Sequence, residues 1–294
     1  MVLLYIPPVQ NLLRREVTAY ASKATGMQIQ VERIDLRFPL NLLVRGVEVI
    51  QQPDTLLSLE SLNVRVQAWP LLKGKVEVDE VTLSQVAVNS ANLIEGMQIK
   101  GVLGRFFLQS HGVDLSNETA VVNRTELSDT HIQLLMTDTT TTPKDTTASA
   151  PVNWKVNLHQ LKLKNVSFGM KLPADSMKMA AYIGEATIDD AKADLKNQFY
   201  GLKQFLLSGA SASYDTGEAQ PSEGFDASHM AVRNIRIGLD SLLYEGRNMN
   251  AVIREITMEE RSGLSITSLT GRLFSNDSIT VSYTHLTLPT KLEV

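Results

Sequence analysis

The sequence predicts a mostly β protein: long, bulged strands in an antiparallel type of sheet, preceded by one helix at the N-terminus. Three observations carry this prediction. Apolar residues recur at every second position over most of the chain after Gly26, as in a sheet that buries one face. Steps of three residues interrupt this alternation, which predicts β-bulges and coiled strands. Only the first 25 residues show the helical spacing of three and four.

The N-terminal helix is predicted at residues 7–25. Pro7 and Pro8 suit the first helical turn, where a missing N–H leaves no bond unmade. An amphipathic stripe follows, and Gly26 provides a C-terminal stop. The stripe consists of Val9, Leu12, Leu13, Val17 and Tyr20. The preceding residues 1–6 are mostly apolar but are far fewer than the roughly 20 residues that a membrane span needs.

After Gly26 three runs of apolar residues carry the strand signal. Two of them share the spacing 2-3-2-3-2 and a third keeps part of it, which makes them weak repeats with separations too irregular for a solenoid. The runs are Val76, Val78, Val81, Leu83, Val86 and Val88; Val156, Leu158, Leu161, Leu163, Val166 and Phe168; and Val232, Ile235 and Ile237. Spacing alone assigns no face across the steps of three, and it favours a closed sandwich core.

A low-complexity segment, residues 137–151, divides the strands into 26–136 and 152–280. It is rich in Thr, Asp and Pro and predicts an exposed loop. Because strands resume on both sides, one continuous sheet and two domains both fit. The weaker alternation in IGEATIDDAKADLKN and GLKQFLLSGASASYD is also interpreted as strand. Turn-rich separators such as Pro39-Leu40-Asn41 and Trp69-Pro70 lie between the strands.

The last segment, residues 281–294, has no relation to the pattern before it. Val281–Thr290 is identified as the translation of a common transposase sequencing adaptor, so we exclude it from reasoning about the fold. On this interpretation the natural sequence continues beyond Thr280, and the first Met is equally arbitrary.

Composition excludes several classes of function. The chain has a net charge of −4, 6% aromatic residues and no cysteine. It therefore has no basic stripe or stacking platform for nucleic acid, no disulfide and no thiolate chemistry. The histidines, at positions 111, 131, 159, 229 and 285, lack the local spacing of metal ligands. We predict no cofactor and no metal site.

No catalytic motif is present either, so we predict that the protein is not an enzyme. Asp189, Asp190 and Asp194 form the densest carboxylate group, and Glu259-Glu260-Arg261 lies in a predicted turn. We interpret both groups, and His159, as solvated. The glycines of GVLGRF, Gly101 and Gly104, do not fit a phosphate-binding loop and predict a bulge or kink.

A further signal is Asp followed by Ser or Thr at several positions. This pattern is similar to the O-glycosylation acceptor of envelope proteins in some anaerobic bacteria. Thr139 and Thr146, in the predicted exposed loop, are the candidate sites.

The first ninety residues resemble the N-terminal region of the AsmA/TamB-like family. The first elements are the end of an apolar span and a helix, in the segment IPPVQNLLRREVTAYASKATG. The matching strand segments are Gly26–Pro39, Leu42–Val49 and Leu71–Val88. The order of these elements carries the resemblance.

The resemblance implies an elongated β-sheet curved into an open groove, anchored in the inner membrane by one span and facing the periplasm. Such proteins assist outer-membrane assembly and move phospholipid between the two membranes. Residues 1–6 would be the end of the anchor, and Arg14 and Arg15 would lie at the membrane surface. An amphipathic helix that plugs the end of the sheet is the alternative. An outer-membrane assembly protein would bind a C-terminal region that is missing here.

The apolar members of each run are then the candidate groove residues. They are Val76, Val78, Val81, Leu83, Val156, Leu158, Leu161, Leu163, Ile235 and Ile237. A groove of this kind would hold acyl chains by burying CH₂ groups, each worth about 0.8 kcal/mol. The competing interpretation is a structural or adhesive β-repeat stalk of the cell envelope with no lipid path.

Overall fold

The computed structural model describes residues 7–72, 77–91, 93, 95–114, 117–137, 153–217, 220–276 and 280–287. Over these residues the chain forms a helix α1 (Pro7–Thr25), a five-residue helix α2 (Ala68–Leu72), a 3₁₀ turn (Pro173–Asp175) and fourteen strands of one curved sheet. The predicted mostly β fold with one amphipathic N-terminal helix is therefore confirmed.

The strands follow the predicted runs closely. They are β1 (Gln28–Arg37), β2 (Asn41–Gln51), β3 (Asp54–Val66), β4 (Val78–Asn89), β5 (Met97–Asp114), β6 (Thr119–Met136), β7 (Lys155–Leu172), β8 (Met177–Asp194), β9 (Phe199–Leu202), β10 (Gln204–Asp215), β11 (His229–Glu245), β12 (Asn248–Glu260), β13 (Ser265–Ser275) and β14 (Thr280–Thr287). The two weakly alternating segments are strands in β8 and β10, as predicted. Residues of the suspected adaptor belong to β14, which pairs with β13.

Strand order follows chain order, so neighbouring strands are joined mostly as antiparallel hairpins. β9 and β10 lie end to end between β8 and β11, with a break at Lys203. Among the described strands, the β6–β7 pair is the one parallel pair, with Thr119 opposite Lys155 and Leu135 opposite Lys171. The predicted low-complexity segment lies between these two strands, where a parallel pair requires a crossover connection. The sheet is continuous on both sides of it.

Helix α1 lies against β1 at the edge of the sheet. Gly26, with φ 71°, ends the helix and donates its N–H to Ser22 O at 2.9 Å. The side chain of Gln10 donates to Leu36 O at 2.9 Å, and that of Arg14 donates to Glu32 O at 2.6 Å. The helix thus covers carbonyl groups of an edge strand that would otherwise be open to pairing with another chain.

A row of bulges crosses the sheet and explains the steps of three. In each of nine strands one residue is left out of the ladder pairing, and it lies opposite the corresponding residue of the next strand, so the register between the strands is unchanged there. The residues of this bulge row are Glu32, Gly46, Glu60, Gln85, Gly104, Asp129, Asn165, Gly184 and Gly209. Gln85, Asp129 and Asn165 adopt positive φ there, at 49°, 52° and 53°. Each extra residue shifts the in-and-out alternation of the strand by one position. The apolar side chains on both sides of a step of three therefore lie on the same face of the sheet.

The sheet is a single layer over the described residues. Extensive contacts between elements occur only between paired strands and between α1 and β1. In this part of the chain Leu56 is the one buried hydrophobic residue larger than alanine, the others being Ala120, Ala186, Ala210 and Ala251. The closed sandwich core that the spacing favoured is therefore wrong, because no second sheet covers the apolar side chains.

Candidate functional site

Two rows of apolar side chains run across the strands on one face of the sheet. The first row consists of Leu36, Leu42, Val64, Val81, Leu108, Thr125, Leu161, Ile188, Phe205, Leu239 and Ile253. The second row consists of Ile34, Val44, Leu62, Leu83, Phe106, Leu127, Leu163, Ala186, Leu207, Ile237, Ile256 and Leu269. At about 4.8 Å between strands, each row is roughly 50 Å long. We call this surface the apolar face.

The structure brings five of the predicted groove residues into these rows. Val81 and Leu161 belong to the first row, and Leu83, Leu163 and Ile237 belong to the second. All five side chains are half-buried. Residues that are about 75 to 155 positions apart in sequence thus line the same two rows.

The remaining predicted residues lie beside the rows on the same face. Ile235 precedes Ile237 by one alternation and pairs with Ala210. Val78 pairs with Val66 beyond the first row. Val156 and Leu158 pair with Ala193 and Ala191 on β8, across a further bulge at Asp190 (φ 50°). Val76 lies outside the described residues.

The opposite side of the same strands is predominantly polar, with Leu43, Phe107 and Leu206 as apolar exceptions. The residues that alternate with the second row form a continuous line of charged and hydroxyl side chains: Arg45, Ser61, Ser84, Arg105, Ser128, Lys164, Glu185 and Ser208. We call this surface the polar face. The sheet is therefore amphipathic across a single layer, with hydrophobic side chains on one side that no other element of the described residues covers.

Two of the three aspartates predicted to be solvated, Asp190 and Asp194, form ion pairs with lysines on the sheet surface. Asp190 Oδ2 lies 2.8 Å from Lys203 Nζ, and Asp190 Oδ1 lies 3.0 Å from His159 Nδ1. The hydrogen bond from Lys203, followed by that from His159, lowers the pKa of Asp190. His159 itself is exposed, in agreement with the prediction. Within the described part of the chain, no three His, Cys, Asp or Glu side chains form a group that could hold a metal ion.

Glu260 corrects the prediction of a solvated turn. It is only 8% exposed. Its carboxylate accepts the backbone N–H of Ser262 at 2.6 Å and that of Ala231 at 3.2 Å. Hydrogen bonds from the side chain and backbone of Ser262, with that of Ala231, lower the pKa of Glu260 to about 2. Glu260 therefore joins the β12–β13 turn to β11 and has a structural role.

The two arginines predicted at a membrane surface have different surroundings. Arg14 is half-buried and bonds to β1, as a helix that plugs the sheet edge requires. Arg15 is exposed. The candidate glycosylation sites Thr139 and Thr146 lie outside the described residues, as do residues 1–6.

Sequence reasoning missed a pair of exposed aromatic side chains at one end of the sheet. Phe38 follows β1 and is 86% exposed, and Trp69 lies in α2 and is 78% exposed. Each precedes a proline. In the sequence, the prolines indicated a turn in both segments. The exposure of the two rings depends on how the segments meet in the folded chain.

No protein-family model matches the chain, and no curated protein matches it at a significant level. Within the described residues no helix combines the length and the apolar character that crossing a membrane requires.

Proposed function

We propose that this chain is a non-catalytic, AsmA/TamB-like protein of the cell envelope whose apolar face holds the acyl chains of phospholipids. One observation carries the proposal: two rows of aliphatic and aromatic side chains cross the sheet on a face that has no second layer in the part of the chain that the structure describes. A soluble protein rarely leaves so long an apolar surface open unless a ligand or partner occupies it.

The composition of the rows fits a ligand that is held loosely and moves. Burial of each CH₂ group contributes about 0.8 kcal/mol without any directional bond. Thr125 is the one polar member of the first row, and the second row has none. An acyl chain therefore meets similar surroundings at each strand, and no fixed polar group holds it in one place. The headgroup remains in solvent, where its hydration is kept.

The cellular setting follows from the resemblance of the N-terminal region. In this proposal the protein faces the periplasm, is anchored in the inner membrane, and reaches an outer-membrane assembly protein through a region beyond this chain. The lipid then moves along the rows between the two membranes. The proposal includes O-glycosylation at Thr139 or Thr146.

Site-specific photo-crosslinking tests the proposal. A photoreactive amino acid replaces Leu163 on the apolar face or, as a matched control, the adjacent Lys164 on the polar face. The same comparison is made at Leu83 and Ser84. After incubation with radiolabelled phospholipid vesicles and irradiation, we expect lipid adducts at Leu163 and Leu83 and background at Lys164 and Ser84.

Equal background at all four positions would reject lipid holding and support the structural or adhesive stalk. Equal strong labelling at all four would also reject it, because it would show adsorption that does not distinguish the two faces.

A further inference from the structure

The end of the sheet where β1 and β3 finish presents two large aromatic side chains to solvent. Phe38 and Trp69 are more exposed than the other large hydrophobic residues of the described chain. They come from separate segments, the β1–β2 turn and α2. With Pro39, Leu40 and Pro70 they line one cavity of about 530 Å³.

Backbone hydrogen bonds fix the relative positions of these segments. Val66 N–H donates to Leu40 O at 2.9 Å, which joins the end of β3 to the β1–β2 turn. Gln67 N–H donates to Glu77 O at 2.9 Å, and the Gln67 side chain donates to Asp79 Oδ1 at 2.5 Å. These hydrogen bonds hold the two segments that carry the aromatic residues in fixed positions. Little conformational entropy is therefore lost when the aromatic residues bind another surface.

The position of this end links it to the apolar face. The first row begins here, because Leu36 and Leu42 flank the β1–β2 turn and Val64 lies two residues before the end of β3. The same end carries the start of α1, where Gln10 bonds to Leu36 O. In the sequence, the apolar stretch Val2–Ile6 directly precedes α1.

We propose that the Phe38–Trp69 end docks on the surface of a lipid bilayer, with both rings in the interfacial region and the start of the first row facing the acyl chains. This inference rests on the proposed function, and it names the surface from which the apolar face receives or delivers lipid.

The size and chemistry of the patch favour a bilayer over a protein partner. Two aromatic side chains bury about 150–250 Å² each, whereas a stable protein interface needs about 800 Å² on each side. Trp at the tip of a structure is also typical of membrane interfaces, where the apolar ring and the polar N–H each find a suitable environment.

Tryptophan fluorescence tests this docking, because the chain has two tryptophans, Trp69 and Trp154. Trp154 precedes β7 and is half-buried. In the variant Trp154→Phe, Trp69 is the sole tryptophan and is excited selectively over the tyrosines. With phosphatidylethanolamine and phosphatidylglycerol vesicles, we expect its emission to shift to the blue and to be quenched by brominated acyl chains.

A second substitution tests the pair. In the Trp154→Phe background, Phe38→Ser is expected to raise the vesicle concentration for half-maximal quenching by about tenfold, because one buried aromatic contact is lost. Phe225→Ser removes another exposed ring, 59% exposed, from the opposite end of the sheet. It is expected to leave the concentration unchanged.

Absence of quenching at Trp69 would overturn the docking, as would quenching by monomeric short-chain lipid alone, which would indicate an acyl chain in the cavity. The two proposals fail separately. Crosslinking at Leu163 without quenching at Trp69 rejects the docking and keeps the lipid-holding face. Quenching without crosslinking rejects the lipid-holding face.

Discussion

Gly104 on β5 lies directly against Asp129 on β6, where the bulge row crosses between the two strands. A Cβ atom added at Gly104 would lie 2.7 Å from Asp129 Cβ and 2.9 Å from Asp129 O. Gly184 has the same relation to Gly209 O, at 2.9 Å. Glycine is therefore required at these positions because the neighbouring backbone occupies the space of a side chain.

We expect Gly104→Ala to lower the free energy of unfolding by about 1–3 kcal/mol, the usual cost of overpacking against atoms that cannot move freely. Urea denaturation followed by circular dichroism measures the change. Gly169→Ala is the matched control, since its added methyl group would meet no atom nearer than 4.0 Å. Equal effects of the two substitutions would contradict the role of the close approach.

Truncation on the apolar face is expected to be mild. Leu163→Ala removes a half-buried side chain over which the described residues form no second layer. It should cost about 1 kcal/mol, below the 2–5 kcal/mol of a packed core, because no cavity is created. Leu56→Ala, at a buried position, should cost more in the same urea titration. A larger loss at Leu163 than at Leu56 would indicate that another layer packs on this face.

A charge in the second row should disturb lipid holding locally. Leu83 pairs with Phe106 across β4 and β5. With the photoreactive residue at position 106, we expect Leu83→Glu to reduce lipid labelling about tenfold, since the carboxylate removes CH₂ contacts and resists dehydration. Ser84→Glu places the same charge on the polar face. It should leave labelling unchanged, and a loss with both variants would point to a general effect of charge.

The contact of α1 with the sheet edge depends on Arg14. Arg14→Met removes the bond to Glu32 O and should destabilise the attachment of α1 by about 1 kcal/mol. Hydrogen exchange of the α1 amides is the readout, because local opening does not require global unfolding. Arg15→Met, at an exposed position, is expected to change exchange little. If both variants behave like the parent, the bond does not hold the helix.

Glu260 makes stability depend on pH in a definite direction. Its pKa is about 2 in the folded chain, below the ordinary 4.5. The stabilisation is therefore fully present above pH 4.5 and is lost as the pH falls toward 2. We expect urea midpoints of the parent chain and Glu260→Gln to differ most above pH 4.5 and to converge below it. A difference that is constant over this range would exclude ionisation of Glu260 as the cause.

Local pattern predicted much of the fold. The proline pair, the apolar stripe and Gly26 were sufficient for α1, and the step from Leu163 to Val166 correctly indicated a bulge. The face of each side chain across such a step did not follow from spacing. The face depends on whether the extra residue forms a bulge within a strand or ends the strand. Pairing with the neighbouring strand determines which of the two occurs.

Long-range pairing accounts for what the sequence did not predict. The parallel alignment of Thr119 with Lys155 cannot be recognised in the sequence of either strand, because both strands alternate like their antiparallel neighbours. The burial of Glu260 depends on Ala231, about 30 residues earlier in the chain. The exposure of Trp69 likewise depends on where α2 meets the β1–β2 turn. For the candidate site, five members of the two rows were among the predicted groove residues, whereas the other members and the arrangement in rows required the register.

The parallel junction between β6 and β7 has a consequence for how the chain folds. Hairpin neighbours find each other over short loops, so β1–β6 and β7–β13 can each assemble by adding strands in chain order, with little entropy lost at each addition. Joining the two blocks requires the chain to return from one end of the sheet to the other. We expect this junction to form last and to be the boundary at which native-state unfolding divides the molecule into two cooperative units.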